Sequence, residues 1–355
     1  MSYLTSVPVV IILVVLGLSE VRVVLGFPGG SETQLTKDDK LGPLHSTLGL
    51  LSLRSSLASV KDVSKPLRSK RTAKEHHITD CIHMTSEEGE FYHKALSVDG
   101  QACGIYIFSE PDQNIELRFN YLDVPCENGG LVSVVDGWEL RGEFFPSTRD
   151  HQKPLRARFN EFCGERKIKK VFTSSQNVAL IQYRMPTRGT SFSFTVRFVK
   201  NPTPCNVFFQ SDELEPIYTL RNYGKRVNCS LSTLFPAAVN TVALDVGVTP
   251  SIQRGIQLET GTIHKCQKRG LDDYVEVGGS FGLDNRYMQV ADSFCGLNSK
   301  PGKYPETVLC ETTTVRMVSS GSFDNSVTVH LRQMGENDID RHLSVVCLPE
   351  DITEE

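Results

Sequence analysis

The chain has 355 residues, with 38 Lys and Arg against 42 Asp and Glu, and this length suits about two domains of ordinary size. A hydrophobic content of 39% supports a packed core and excludes wholesale disorder, and a net charge of −4 gives no global reason to expect nucleic acid as a partner. The charge is uneven, because residues 1–71 carry a net charge of +4 and the remainder carries −8.

The N-terminus contains the apolar run VPVVIILVVLGL over residues 7–18. This run has the length of a signal-peptide core and is short for a membrane span. We therefore predict a signal peptide over residues 1–26, cleaved before Phe27, and a secreted, extracellular protein without a membrane anchor. A buried strand or an uncleaved anchor is the alternative interpretation.

The next segment, residues 27–71, ends in Arg68-Ser69-Lys70-Arg71, a pattern that resembles the substrates of secretory processing proteases. We predict a propeptide that is cleaved after Arg71, since exposed polar segments are where proteolysis concentrates. A solvated basic linker is the alternative interpretation. At the other end of the chain, residues 348–355 are expected to form a loose acidic tail.

Ten cysteines follow the basic tetrad, and an even number is typical of a disulfide framework in an oxidising compartment. No C-x-x-C spacing suggests a zinc site. The sequence alone leaves the connectivity open. Pairing neighbours in order gives separations of 22, 37, 24, 29 and 37 residues, each suited to a local tie within a sheet.

Apolar residues alternate with polar ones in NIELRFNY (114–121), SFSFTVRF (191–198) and VTVHL (327–331). A period of two places one face of a strand on a core and the other in water, which indicates antiparallel sheets. Gly, Pro, Asn and Ser clusters separate these runs, and no long helical pattern follows Cys81. The sequence therefore predicts an all-β protein.

A weak internal repeat divides the β region. GGLVSVVDG, FCG and VFTSSQNVALIQYR in one part resemble DDYVEVGGS, FCG and VRMVSSGSFDNSVTVHLR in the other. We predict two tandem β-sandwiches, over residues 72–200 and 201–347, joined at the proline-stiffened KNPTP segment (200–204). A cleft between them is our expected binding location.

At this level the pattern resembles the CUB family of extracellular β-sandwiches. Several phrases narrow the resemblance to corticotropin-releasing-factor-binding proteins: VVDGWELRGEFFPSTRDH (134–151), SSQNVALIQYR (174–184), PCNV (204–207), NCS (228–230) and TVRMVSSG (314–321). The resemblance implies a secreted glycoprotein that captures a CRF-like peptide hormone and keeps it from its receptor. In an invertebrate the ligand would be a CRF-like diuretic peptide.

The same resemblance implies site residues. It implies glycosylation at Asn228, the Asn of the sequon Asn228-Cys229-Ser230. It also implies five disulfides between successive cysteines: Cys81–Cys103, Cys126–Cys163, Cys205–Cys229, Cys266–Cys295 and Cys310–Cys347.

Two ligand-binding positions of the family depart from its pattern here. The family has an Arg four residues before the first cysteine and an Asp two residues after it, and this chain has His77 and His83 there. Either the peptide is held by other groups or the peptide differs. If the histidines bind, affinity should change between about pH 5 and pH 8. Two surface histidines without a role are the alternative.

Two other classes of function have candidate residues in the sequence. A calcium-dependent CUB-type adhesion or matrix module would need clustered carboxylates, and Asp136, Asp272 and Asp273 are the available ones. A hydrolase would use Ser280 in GGSFG (278–282), which matches G-x-S-x-G, yet no helix pattern follows it. We therefore predict no enzyme, no metal and no cofactor.

Overall fold

The computed structural model describes residues 75–98, 100–210, 216–248, 259–302, 304–335, 338 and 342–347. All of them belong to one unit, Ser69–Glu355. The predicted signal peptide (1–26), the predicted propeptide (27–71, with Arg71) and the predicted tail (348–355) lie outside the described residues. Residues 75–200 are called the first half below, and residues 205–347 the second half.

The first half contains the following strands in chain order: β1 (Glu75–Ile78), β2 (Ile82–Thr85), β3 (Gly89–Lys94), β4 (Ala102–Phe108), β5 (Gln113–Val124), β6 (Leu131–Val135), β7 (Trp138–Leu140), β8 (Glu143–Phe145), β9 (Phe159–Phe162), β10 (Gly164–Arg166), β11 (Val171–Thr173), β12 (Val178–Arg184) and β13 (Ser191–Lys200). One sheet has the order β1-β3-β13-β5-β10, with β11 beside β5, and the other has the order β2-β4-β12-β6-β9. A separate hairpin joins β7 to β8. A 3-10 helix (Glu127–Gly129) and a single-turn helix α1 (Leu155–Arg158) lie between strands.

The alternating runs supply the core of this half. Ile115, Leu117 and Phe119 of β5 are buried, as are Phe192 and Phe194 of β13, and all five belong to one hydrophobic cluster between the two sheets. A period of two in sequence thus becomes one buried face per strand.

The second half contains β14 (Asn206–Phe209), β15 (Ile217–Arg221), β16 (Cys229–Thr233), β17 (Ala237–Val246), β18 (Gly261–His264), β19 (Tyr274–Ser280), β20 (Gln289–Asn298), β21 (Glu306–Leu309), β22 (Thr312–Val318), β23 (Ser326–Gln333) and β24 (Val345–Val346). Two 3-10 helices span Gln267–Arg269 and Asn285–Tyr287. The strands join in one 11-stranded sheet. Its two layers are continuous because β17 pairs with both β20 and β23, and a second hydrophobic cluster fills the space between them.

The predicted all-β class with two tandem sandwiches is therefore confirmed, with the difference that the second sandwich is closed along one edge. Most strand pairs are antiparallel. The exceptions are β1 with β3, β2 with β4, β14 with β16, and β21 with β24. The domain boundaries at 72–200 and 201–347 stay predictions.

Each cysteine is bonded to its neighbour in the chain: Cys81 to Cys103, Cys126 to Cys163, Cys205 to Cys229, Cys266 to Cys295, and Cys310 to Cys347. No disulfide joins one half to the other. Each tie therefore restrains its own sandwich, and the contact between the halves depends on non-covalent packing.

The repeat is visible in the local structure of the two halves. A 3-10 helix follows Cys126 in the first half and Cys266 in the second. Strand β2 follows Cys81 and pairs in parallel with β4, and strand β14 follows Cys205 and pairs in parallel with β16. The strands β2 and β14 are therefore equivalent elements of the two sandwiches.

Candidate functional site

A groove of about 830 Å³ lies between the two halves. Phe108 and Phe198, near the ends of β4 and β13, line it from the first half. Phe209 of β14 and Ile217 and Tyr218 of β15 line it from the second. We call this surface the inter-half groove. Aromatic side chains from both halves line it, beside polar residues such as Glu110, Gln113 and Gln210.

The floor of the groove is a packed apolar cluster. Phe208 is buried with its ring centroid 4.6 Å from that of Trp138, on the β7–β8 hairpin. Both rings belong to a third hydrophobic cluster, which contains residues from both halves, among them Val135, Val178 and Leu180. The indole nitrogen of Trp138 donates to two backbone carbonyls, so the ring is fixed in place. The sole tryptophan thus packs between the halves.

A buried guanidinium supports the same hairpin. Arg158 is completely buried and donates to the backbone carbonyls of Asp136, Phe145 and Pro146 at 2.7–3.0 Å. Burial lowers the pKa of Arg158 to about 10. Since all three acceptors are backbone atoms, Arg158 holds the chain around the hairpin rather than a ligand.

Polar contacts between the halves centre on buried charges. Arg316 of β22 donates to Asp150 at 2.8 Å and to Glu276 at 3.1 Å, and all three side chains are buried. Asp150 also accepts from Asn285, and Ser147 donates to Asp284 at 2.9 Å. A buried ion pair with its remaining atoms hydrogen-bonded fixes one relative geometry of its partners. The groove is therefore walled by two halves held in a defined arrangement.

The rim of the groove is polar. Glu110 and Gln113 lie at its first-half side, where the Glu110 amide donates to the Gln113 side chain. Burial raises the pKa of Tyr218, and the nearby Tyr223 and Asp112 raise it further. Tyr218 therefore keeps its proton and can donate a hydrogen bond at neutral pH. An apolar wall with a polar rim suits one face of an amphipathic segment.

A second, smaller cavity of about 370 Å³ lies at the other end of the first half. His77, Tyr92, Lys94 and Met185 line it, together with Tyr183. Burial raises the pKa of Tyr183 to about 12, and its hydroxyl is a buried atom without a hydrogen-bond partner in the described structure. We call this the N-terminal cavity.

The N-terminal and C-terminal domain models of the corticotropin-releasing factor binding protein match residues 74–200 and 210–340 of this chain. The chain belongs to this family. The corticotropin-releasing factor-binding protein of Xenopus laevis is 32% identical over 274 residues, which span 76% of this chain and 82% of the relative. The human protein of that name is 34% identical over 254 residues, or 72% of this chain and 75% of the relative.

A fold comparison adds little to this assignment. The CUB1-EGF-CUB2 domains of human MASP-1/3 align with 69% of this chain and 99% of their own length, at 13% identity and a TM-score of 0.24. The all-β architecture of this member of the corticotropin-releasing factor-binding protein family rests on the sheets described above. Among the described residues, no helix has the length and apolar composition needed to cross a membrane.

The two histidines predicted as ligand-binding candidates lie on different sheets. His77 is on β1, exposed, with its ring 5.4 Å from that of Tyr92. His83 is on β2, half-buried, with its ring 6.4 Å from that of the core residue Phe91. His77 lines the N-terminal cavity and His83 does not. Their role in this member of the corticotropin-releasing factor-binding protein family stays a prediction.

Asn228 is half-buried rather than fully exposed. Its amide nitrogen donates to the Arg149 carbonyl at 3.3 Å across the contact between the halves. The hydroxyl of Ser230, the third sequon residue, is buried and donates to Asn206 at 2.8 Å. Glycosylation at Asn228 stays a prediction, and it would have to precede the formation of these contacts.

The calcium and hydrolase candidates have other partners. The Asp136 carboxylate accepts hydrogen bonds from Lys153, Ser175 and Gln176 at 2.6–2.9 Å, so both of its oxygens are already hydrogen-bonded within the protein. Asp273 accepts in the same way from Ser320 and Asn325. Ser280 is buried at the end of β19, which pairs antiparallel with β22, and its hydroxyl donates to the Gly282 carbonyl. Among the described residues, no three candidate ligands cluster for a metal.

The sequence alone does not identify the individual residues of the inter-half groove. A signal was available in Phe198, which continues the alternating row of Phe192, Phe194 and Val196 toward the end of β13. Another signal was the consecutive pair Phe208-Phe209. Adjacent residues of a strand point to opposite faces of the sheet, so two adjacent aromatic side chains indicate that both faces of the strand are covered. Neither signal identifies what lies opposite in space.

Proposed function

We propose that this chain captures a CRF-like peptide hormone and limits its access to its receptor, as a secreted protein without catalytic activity. The observation that carries the proposal is the match of both halves to the corticotropin-releasing factor-binding protein models, with the aromatic inter-half groove between those halves. If the organism is an invertebrate, the ligand is a CRF-like diuretic peptide.

The groove supplies a physical route to capture. An amphipathic helix binds a protein by burying its apolar face in a hydrophobic groove, with anchors at every third or fourth position. Phe198, Phe209 and Ile217 offer such a surface, and Ile217 leaves 66% of its area exposed in the free protein. Burial of apolar area of this kind supplies roughly 25 cal/mol per Å².

Calorimetric titration with synthetic corticotropin-releasing factor and with a CRF-like diuretic peptide tests the proposal. Saturable binding that is unchanged by EDTA, and that suppresses receptor activation by the same peptide in a cell assay, is the expected result. The calcium-dependent adhesion alternative is not favoured, because Asp136 and Asp273 are hydrogen-bonded within the protein. Absence of binding to both peptides would refute the proposal.

The location is tested by substitution at the groove wall. Ile217→Lys should weaken peptide binding by roughly tenfold or more, since about 1.4 kcal/mol corresponds to each factor of ten and a buried Ile contributes more than that. Leu271→Lys is the matched control, because Leu271 is 43% exposed in the 3-10 loop after Cys266, outside the groove. Equal peptide affinities of the two variants would show that the peptide does not bind in the inter-half groove.

A further inference from the structure

Strand β2 (Ile82–Thr85) forms the edge of its sheet, and among the described strands it pairs only with β4. The Gly104 amide donates to the Cys81 carbonyl at 2.8 Å, and Gly104 lies opposite Ile82. In a parallel pair, alternate residues direct their N–H and C=O groups toward the neighbouring strand. The backbone groups of Ile82 and Met84 are therefore directed to the free side, which we call the β2 edge.

The equivalent strand of the second half shows what this position can bind. The Ser230 amide donates to the Cys205 carbonyl at 3.1 Å, as Gly104 does to Cys81, so that Phe208 occupies the position of Met84. The Phe208 amide donates to Asn177 at 2.9 Å, and its carbonyl accepts from Asn177 at 2.8 Å. A side-chain amide thus occupies the free edge of β14 in the way a neighbouring peptide bond would.

The β2 edge has no such amide against it among the described residues, and apart from its short length of four residues it has no charge or proline to protect it. Its sequence, IHMT, contains no proline and no Lys or Glu, and Ile82 and Met84 are 67% and 45% exposed. Natural proteins protect exposed edges with charges, proline or bulges, because unpaired strand edges recruit other strands. An unprotected apolar edge in a disulfide-stapled protein indicates a binding surface.

We propose that the β2 edge binds an extended segment of the captured peptide by strand addition, with the N–H and C=O groups of Ile82 and Met84 bonding to the peptide backbone. This inference rests on the proposed function and names its recognition mode. Ser86, directly after β2, lines the inter-half groove. A peptide whose apolar face lies in the groove can therefore continue as an extended segment along β2.

Hydrogen exchange on the full mature chain, with and without synthetic corticotropin-releasing factor, tests the bonds directly. The amides of Ile82 and Met84 should become protected by about tenfold or more when the peptide is bound, because each would enter a backbone hydrogen bond. The amide of His83 faces β4 in both states and should change little, which makes it an internal control.

Substitution gives an independent test. Met84→Pro removes only an outward donor and should weaken peptide binding by about tenfold, while leaving the β2–β4 ladder intact. Met84→Lys adds an edge charge and should act in the same direction. Glu161→Lys, on the exposed β9 at the opposite edge of the same sheet, is the control and should bind like the unmodified chain.

The outcomes separate the two proposals. Peptide binding without protection of Ile82 and Met84, and with unchanged affinity of Met84→Lys, would overturn strand addition and leave the proposed function standing. Absence of binding to the unmodified chain would overturn both. Dimers that form without peptide and dissociate in Met84→Lys would assign the edge to a second copy of the chain.

Discussion

At the scale of single residues, Asp136 shows how a buried carboxylate can be structural. Burial alone would raise the pKa of Asp136, but the His151 ring, 3.6 Å away, and hydrogen bonds from Lys153 and Ser175 lower it well below its usual value. The folded protein therefore binds the Asp136 proton more weakly than the unfolded chain does. The resulting stabilisation is complete above the ordinary carboxyl pKa of about 4 and is lost as the pH falls below it.

Substitution of this residue should remove both the stability and its pH dependence. Asp136→Asn should lower the free energy of unfolding by about 2 kcal/mol at pH 7, because Lys153 and Ser175 lose a charged acceptor. The difference between variant and parent should shrink as the pH falls from about 4 to about 2. Urea unfolding at a series of pH values measures this, with Asp123→Asn on the exposed side of β5 as control. A constant difference across this range would show that Asp136 is not the titrating group.

At the scale of elements, the disulfide Cys81–Cys103 holds the start of β2 against β4. Replacing both cysteines by Ser should lower stability by about 3 kcal/mol, as expected for a closed loop of this length. It should also weaken peptide binding, because β2 would no longer be held in register. The same replacement at Cys310 and Cys347 releases β24 instead and should cost stability without affecting affinity. Equal affinities of the two variants would contradict a role of β2 in binding.

Most of these elements could be predicted from the sequence, because their causes are local. Alternation in NIELRFNY and SFSFTVRF produces strands whose apolar side faces a core, and β5 and β13 follow that pattern. The repeat of Cys, turn and strand could likewise be detected, because the same order of motifs occurs in both halves of the sequence. The free edge of β2 could not, because four residues of IHMT carry no sign of which strands lie beside them.

At the scale of the whole molecule, the contact between the halves is the part that no local pattern predicts. Asp150 and Arg316 are 166 residues apart and meet as a buried pair, and Phe208 meets Trp138 across the same contact. Each of these residues has an ordinary local interpretation as a turn, strand or surface residue. The inter-half groove exists only once both sandwiches are folded and docked. The sequence could therefore predict a cleft between them, but not the residues that line it.

Removing Arg316 tests whether this contact sets the groove. Arg316→Ala would leave Asp150 and Glu276 as buried carboxylates without a cationic partner, at a cost of roughly 3–5 kcal/mol. Because the pair bridges the halves, while each disulfide lies within one half, we expect the variant to unfold in two separate thermal transitions and peptide affinity to fall. Calorimetry and peptide titration of Arg316→Ala, Asp150→Ala and the double variant form a double-mutant cycle. The double variant should cost less than the sum of the single variants. Additive costs, or full peptide affinity with a divided transition, would show that the groove forms without this ion pair.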